Sequence, residues 1–187
     1  MDMSRALRRI IHTLAAFGTV YYLVPGQVVP GLPKNEALIL LLMAILSFEA
    51  IRLHLKLRIV GLRPYEYSRL SSFSWAFMGI CVVVLFFPFS IALPVLLGVA
   101  LMDPLAGELR FLGHNKLANI IWPISFIMFA ALLVIHYSPP VLPVSMGFAG
   151  ATISWLSEKM KFKSIDDDFL MSVLPAAAMF LIYAAMK

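Results

Sequence analysis

Seven apolar stretches follow one another along this chain, each near the length that crosses a lipid bilayer. A spanning helix takes about 20 predominantly apolar residues. Backbone N–H and C=O groups in hydrocarbon must be satisfied within the segment, so stretches of this kind are helices. The spans fall at about residues 6–24, 36–55, 70–87, 90–111, 117–137, 143–160 and 165–186. Composition agrees: 13% of the 187 residues are charged, where a soluble domain carries about 25%. Mean hydropathy is +0.92. The expected fold is all-α, a polytopic membrane protein forming one domain over residues 1–187, with no soluble domain, long linker or repeat.

The charges orient those spans. With the N-terminus in the cytoplasm, Arg5, Arg8, Arg9, Arg52, Lys56, Arg58, Arg63, Arg69, Arg110, Lys116, Lys159, Lys161 and Lys163 share the cytoplasmic side, and Lys34 and Lys187 lie opposite. That distribution follows the positive-inside rule and predicts a cytoplasmic N-terminus and an outer C-terminus. Asp103, Glu108, Glu158, Asp166, Asp167 and Asp168 gather on the cytoplasmic side as well. Any chemistry therefore faces the cytoplasm. The net charge of +5 comes from loops between spans, which suits anionic lipid and not nucleic acid. The first segment superficially resembles a signal peptide, but His12 and the lack of a small-x-small site before Pro25 make it a retained helix. Cys81, the one cysteine, sits in an apolar run as a small hydrophobe. The short chain is read as a multi-pass protein of a prokaryotic or archaeal cell membrane.

The stretch LLGVALMDPLAGELRFLGHNK, residues 96–116, carries the strongest chemical signal. Asp103 follows Pro88 by fifteen residues, roughly 22 Å of helix against a hydrocarbon core of roughly 30 Å. An ionisable group at that depth is costly and marks a functional site. Asp103, Gly107, Arg110 and His114 share one helical stripe. Pro104 removes a backbone N–H and frees a carbonyl one turn earlier. A carboxylate with nearby cations suits a divalent metal on a phosphate; a structural ion pair at a helix end is the alternative.

Three further groups accompany it. In SIDDDFLMSVLP, Ser164 is the expected cap of the last helix, with Asp167 in a capping box. Three adjacent acids exceed what a cap needs, and their repulsion calls for a metal ion or a basic neighbour such as Lys161 or Lys163. Glu158 ends a stripe of Gly147, Gly150, Ala151 and Ser154, small residues that let helices approach. Glu49, Arg52 and Lys56 share a face, Glu49 and Arg52 as an intramembrane pair or as substrate contacts. His12 stands one turn after Arg9, either structural or a base. P-loop, HExxH, CxxC and nucleophile-elbow patterns are absent, and Lys187 lies too near the end of the last span for a retinal Schiff base.

The order of these motifs, RRIIH, FEAIRL, DPLAGELR, a late Glu and an Asp cluster, resembles the dolichol kinase, phytol kinase and CTP-dependent diacylglycerol kinase family. It is more distantly similar to membrane cytidylyltransferases. The resemblance spans most of the chain and is most specific at DPLA and at the Asp-rich start of the last span. It implies a kinase that phosphorylates a lipid alcohol such as dolichol or another polyprenol, with CTP as donor and Mg²⁺ as cofactor. By that resemblance Asp103 matches the D-x-x-A motif, Glu158 the late acid, and Asp167 and Asp168 the D-D-N element. Asp103, Asp167 and Asp168 then hold the metal. Arg110, His114, Lys116 and Lys163 face the donor phosphates, and Glu158 or Glu49 takes the alcohol proton. The family's Lys-Ser-x-Glu-Gly element is replaced here by GELRFLGHNKLANIIWP, in which His114 and Lys116 are retained. A CDP-lipid-forming cytidylyltransferase and a non-catalytic lipid-binding homologue remain the alternatives, and self-association stays open.

Overall fold

The computed structural model describes residues 12–13, 15–59, 61–160, 162 and 165–187. Arg5, Arg8, Arg9, Lys161, Lys163 and Ser164 lie outside the described residues. The chain runs from a 3₁₀ helix, Ala15–Tyr22, through a hairpin of β1 (Gln27–Val29) and β2 (Leu32–Pro33), into helix α1 (Lys34–His54). A short 3₁₀ turn, Pro64–Ser68, precedes α2 (Ser72–Phe86). Then come α3 (Phe89–Leu97), a π turn (Gly98–Met102), α4 (Asp103–Phe111), α5 (Asn115–Val134), α6 (Val141–Lys159) and α7 (Asp167–Met186).

Among the described residues, four helical stretches are long and apolar enough to cross a membrane: α1, the continuous run Phe89–Phe111, α5 and α7. Helix α2 is apolar but shorter, at 15 residues. The β hairpin departs from the all-α expectation. Val28 and Val29 favour extended backbone, and Pro30 with Gly31 at φ +85° makes the turn that pairs Val29 with Leu32. In the first stretch, residues 15–22 take the tighter 3₁₀ form, with the Thr19 hydroxyl donating to the Ala16 carbonyl at 2.7 Å.

Local chemistry sets the helix ends. The Ser71 side chain caps α2 by accepting from Ser74 N at 3.3 Å. Helix α7 is capped by Asp166 and not by the expected Ser164, because the Asp166 side chain accepts from Asp168 N. Helix α4 ends at Gly113, whose φ of +80° lets His114 N reach Leu109 O and Gly113 N reach Arg110 O.

The core is assembled from α2, α3, α5, α6 and α7, where Val83, Ile91, Leu96, Phe129, Met146 and Met179 are buried together. Gly147 is where α6 meets α5: a Cβ there would stand 2.8 Å from Ala130 N, so the small-residue stripe is a packing surface. Helix α1 lies at the periphery and exposes Ile39, Leu40, Leu41, Met43, Phe48 and Ile51, a face suited to lipid.

Candidate functional site

The run from Phe89 to Phe111 changes register where its charge begins. Pro104 offers no N–H, so the regular α ladder cannot continue across it. The chain widens to a π turn, in which Asp103 N donates to Gly98 O five residues back. Asp103 is the first residue after that turn.

Asp103 meets partners from the two ends of the chain. His12 Nδ1 lies 3.4 Å from Asp103 Oδ2, and His12 Nε2 lies 3.7 Å from Asp168 Oδ1. The three side chains present one ligand atom each within 4.8 Å of one another. Asp166, Asp167 and Asp168 form a second such group, so Asp168 belongs to both. His12 Nδ1 is buried and makes no hydrogen bond; its approach to Asp103 is close but not aligned for one. Two carboxylates and an imidazole nitrogen without a hydrogen bond are a donor set that fits a divalent cation, Mn²⁺ or Mg²⁺ by the predominance of oxygen.

Asp103 also lines a cavity of about 30 Å³, room for one or two waters, that reaches Glu158, Trp122, Ser125, Trp155 and Met171. Glu158 and Arg110 form an ion pair at its edge, with Arg110 part-exposed. Thus Asp103, Asp168, Glu158 and Arg110 are brought into one region. His114 and Lys116 are not: both are exposed at the start of α5, and no contact among the described residues takes them to the acids. The Gly113 turn carries them off the α4 stripe to which an unbroken helix would have assigned His114. Lys163 lies outside the described residues.

Glu49 belongs to a different structure, a buried clamp. Arg52 donates to it through Nε (2.9 Å) and Nη2 (2.8 Å), and Ser71 N adds a bond of 2.9 Å. Arg52, fully buried, also donates to the carbonyls of Glu66 (3.0 Å) and Arg69 (2.8 Å). Buried Glu66 accepts from Arg63 N, Ser72 N and Ser72 Oγ. Ser72 Oγ reaches on to Asp166 Oδ2 at 3.2 Å. The clamp thereby ties the loop after α1 to the start of α7. Burial pulls the Arg63 guanidinium down, yet the Tyr65 hydroxyl and the charges of Glu66 and Asp166 lift it above its ordinary value, so it is a permanent cation.

Glu66 and Ser72 are the residues that sequence reasoning left without a role, while His12 was read as structural or a base and Asp166 only as one of three adjacent acids. A histidine beside an arginine pair and an acid before an acid pair were visible signals; their partners, 91 and 94 residues away, were not. Comparison with protein-family models, curated proteins and solved structures found no match. The functional reading therefore rests on this geometry.

Proposed function

We propose that this is a seven-span membrane enzyme, N-terminus inside, that transfers a phosphoryl group to a lipid alcohol such as a polyprenol, with CTP as donor. The observation that carries the reading is the convergence of His12, from the segment before the first 3₁₀ helix, with Asp103 and Asp168, which belong to two helical stretches of membrane-crossing length. An apolar groove supports the acceptor. It has a volume of about 320 Å³ and is lined by Ala15, Gly18, Leu38, Phe73, Ala76 and Ile80, of which Ala15 stands three residues after His12 in the chain. An isoprenoid tail fits this groove, with its hydroxyl at the acid cluster.

Phosphoryl transfer asks mainly for positioning and charge neutralisation. Asp103 and Asp168, with His12, are suited to hold a divalent cation, which when bound would offset charge on the donor phosphates. Asp167 stands beside them. Arg110, held by Glu158, neutralises charge that develops on the transferring group. Glu49 has both oxygens engaged by Arg52 and Ser71, and so positions the loop rather than reacting. Glu158 shares a cavity with Asp103 and takes the alcohol proton.

The deciding experiment supplies detergent-purified protein with γ-labelled CTP or ATP, Mg²⁺ and a set of polyprenols and diacylglycerol. Label is expected in a lipid, with Asp103→Asn about 10²- to 10³-fold slower. A folded protein that labels no lipid from any donor sinks the kinase reading; release of pyrophosphate with a CDP-lipid when a lipid monophosphate is supplied in place of the alcohols would assign cytidylyl transfer instead. Cation binding is tested separately. At a hundredfold excess over its Kd, Mn²⁺ or Mg²⁺ should stabilise the wild type by about 2.7 kcal/mol. Neither Asp103→Asn nor Asp168→Asn should respond. An equal shift in all three proteins would remove the cation from this cluster.

A further inference from the structure

A second cavity, of about 400 Å³, lies beside the acids and is lined by Arg63, Tyr65, Arg69, Phe162, Asp166 and Asp167. Its volume is within the range of small-molecule sites, roughly 300–1,000 Å³. Two guanidiniums stand against one ring here: Cζ of Arg69 is 4.0 Å from the Tyr65 centroid, and Cζ of Arg63 is 5.6 Å from it. Arg63 also donates to the Tyr65 hydroxyl. The same wall carries Asp166 and Asp167, so its charge is mixed, and a ligand that brings both phosphate oxygens and a divalent cation complements both signs.

The division of labour within these two residues is informative. Arg69 serves the buried clamp through its carbonyl, which accepts from Arg52, and Arg63 serves it through its backbone N–H, which donates to Glu66. Neither of these bonds uses a guanidinium, and both residues line the cavity. Glu66 and Asp166, the acids facing Arg63, already accept from Ser72. Asp167 links the cavity to the catalytic cluster, since it lines the one and offers an oxygen within 4.8 Å of Asp168 in the other.

We infer that Arg63 and Arg69 bind the polyphosphate of the donor in this cavity, with its reacting end toward Asp167. The identity of the ligand as a donor polyphosphate rests on the kinase reading. Phosphate at this surface has two sources, a soluble polyphosphate or a lipid headgroup. The cavity favours the first, because Asp166 and Asp167 in its wall repel a bare headgroup phosphate, whereas a polyphosphate brings its own divalent cation.

The test uses the full chain in nanodiscs of phosphatidylcholine, titrated calorimetrically with magnesium tripolyphosphate and with magnesium CTP. Wild type is expected to bind both. Arg63→Gln/Arg69→Gln should bind each about tenfold or more weakly, with helix content unchanged because the clamp bonds of both residues are main-chain. If the double variant fails to fold, Arg69→Gln alone is used and should weaken both several-fold. Unchanged affinity in a folded variant overturns the site, whatever the transfer assay reports. So does an effect seen only as lost enrichment of phosphatidylglycerol in mixed nanodiscs, which would assign the arginines to headgroups. Arginine-dependent tripolyphosphate binding in a protein that transfers no phosphate would keep this site and reject the kinase.

Discussion

Arg52 shows how a single side chain holds a site it does not enter. It is fully buried, pairs with Glu49 and collects the carbonyls of Glu66 and Arg69. Removing one partner of such a pair leaves an uncompensated charge, a loss of about 3–5 kcal/mol. Arg52→Met should lower stability by that order in denaturant or thermal unfolding, and Glu49→Gln/Arg52→Met should recover part of it. A single variant as stable as wild type would contradict the clamp. The i, i+3 spacing made this pair legible in the sequence. Its other partners were not, because two are carbonyls and one is a backbone N–H, and main-chain groups carry no residue signal. Asp103 was legible for the opposite reason: a lone carboxylate in an apolar run is conspicuous wherever the run packs.

At the scale of elements, the π turn before Asp103 is the feature on which the cluster depends. Pro104→Ala restores an N–H and lets the turn relax to α geometry, which rotates Asp103 about the axis by roughly the 100° of one residue. Under the proposed kinase activity, the expected result is phosphate transfer slowed by about 10²-fold with Tm equal or higher. A variant with the wild-type rate would show that the turn does not aim the carboxylate. The sequence marked the proline and the carbonyl it frees, but whether a helix answers by kinking, breaking or widening depends on its neighbours. Here Gly98 lies under the Phe129 ring, where a Cβ would stand 2.9 Å away, so α5 fixes this part of the run.

For the whole molecule, the prediction concerns sidedness. In a Cys81→Ser background, Val28→Cys in the exposed hairpin should react with an impermeant maleimide on intact cells. Arg58→Cys, in the basic loop, should react only once the membrane is opened. The reverse pattern would invert the topology and put the acid cluster outside. Apolar length marked the four long helical stretches, since a bilayer-length run satisfies its backbone as a helix; it gave no sign of the 3₁₀ form of residues 15–22 or of the hairpin that follows. The expectation that the acids share one face comes from the distribution of Lys and Arg along the chain. The meeting of His12 with Asp103 and Asp168, the sequestration of Glu49, and the exclusion of His114 and Lys116 were decided by tertiary structure. Local sequence sets the periodicity and the termini of each helix. Which polar faces are turned toward each other is set by how the helices pack, and that depends on contacts such as Gly147 against Ala130 and the clamp around Arg52.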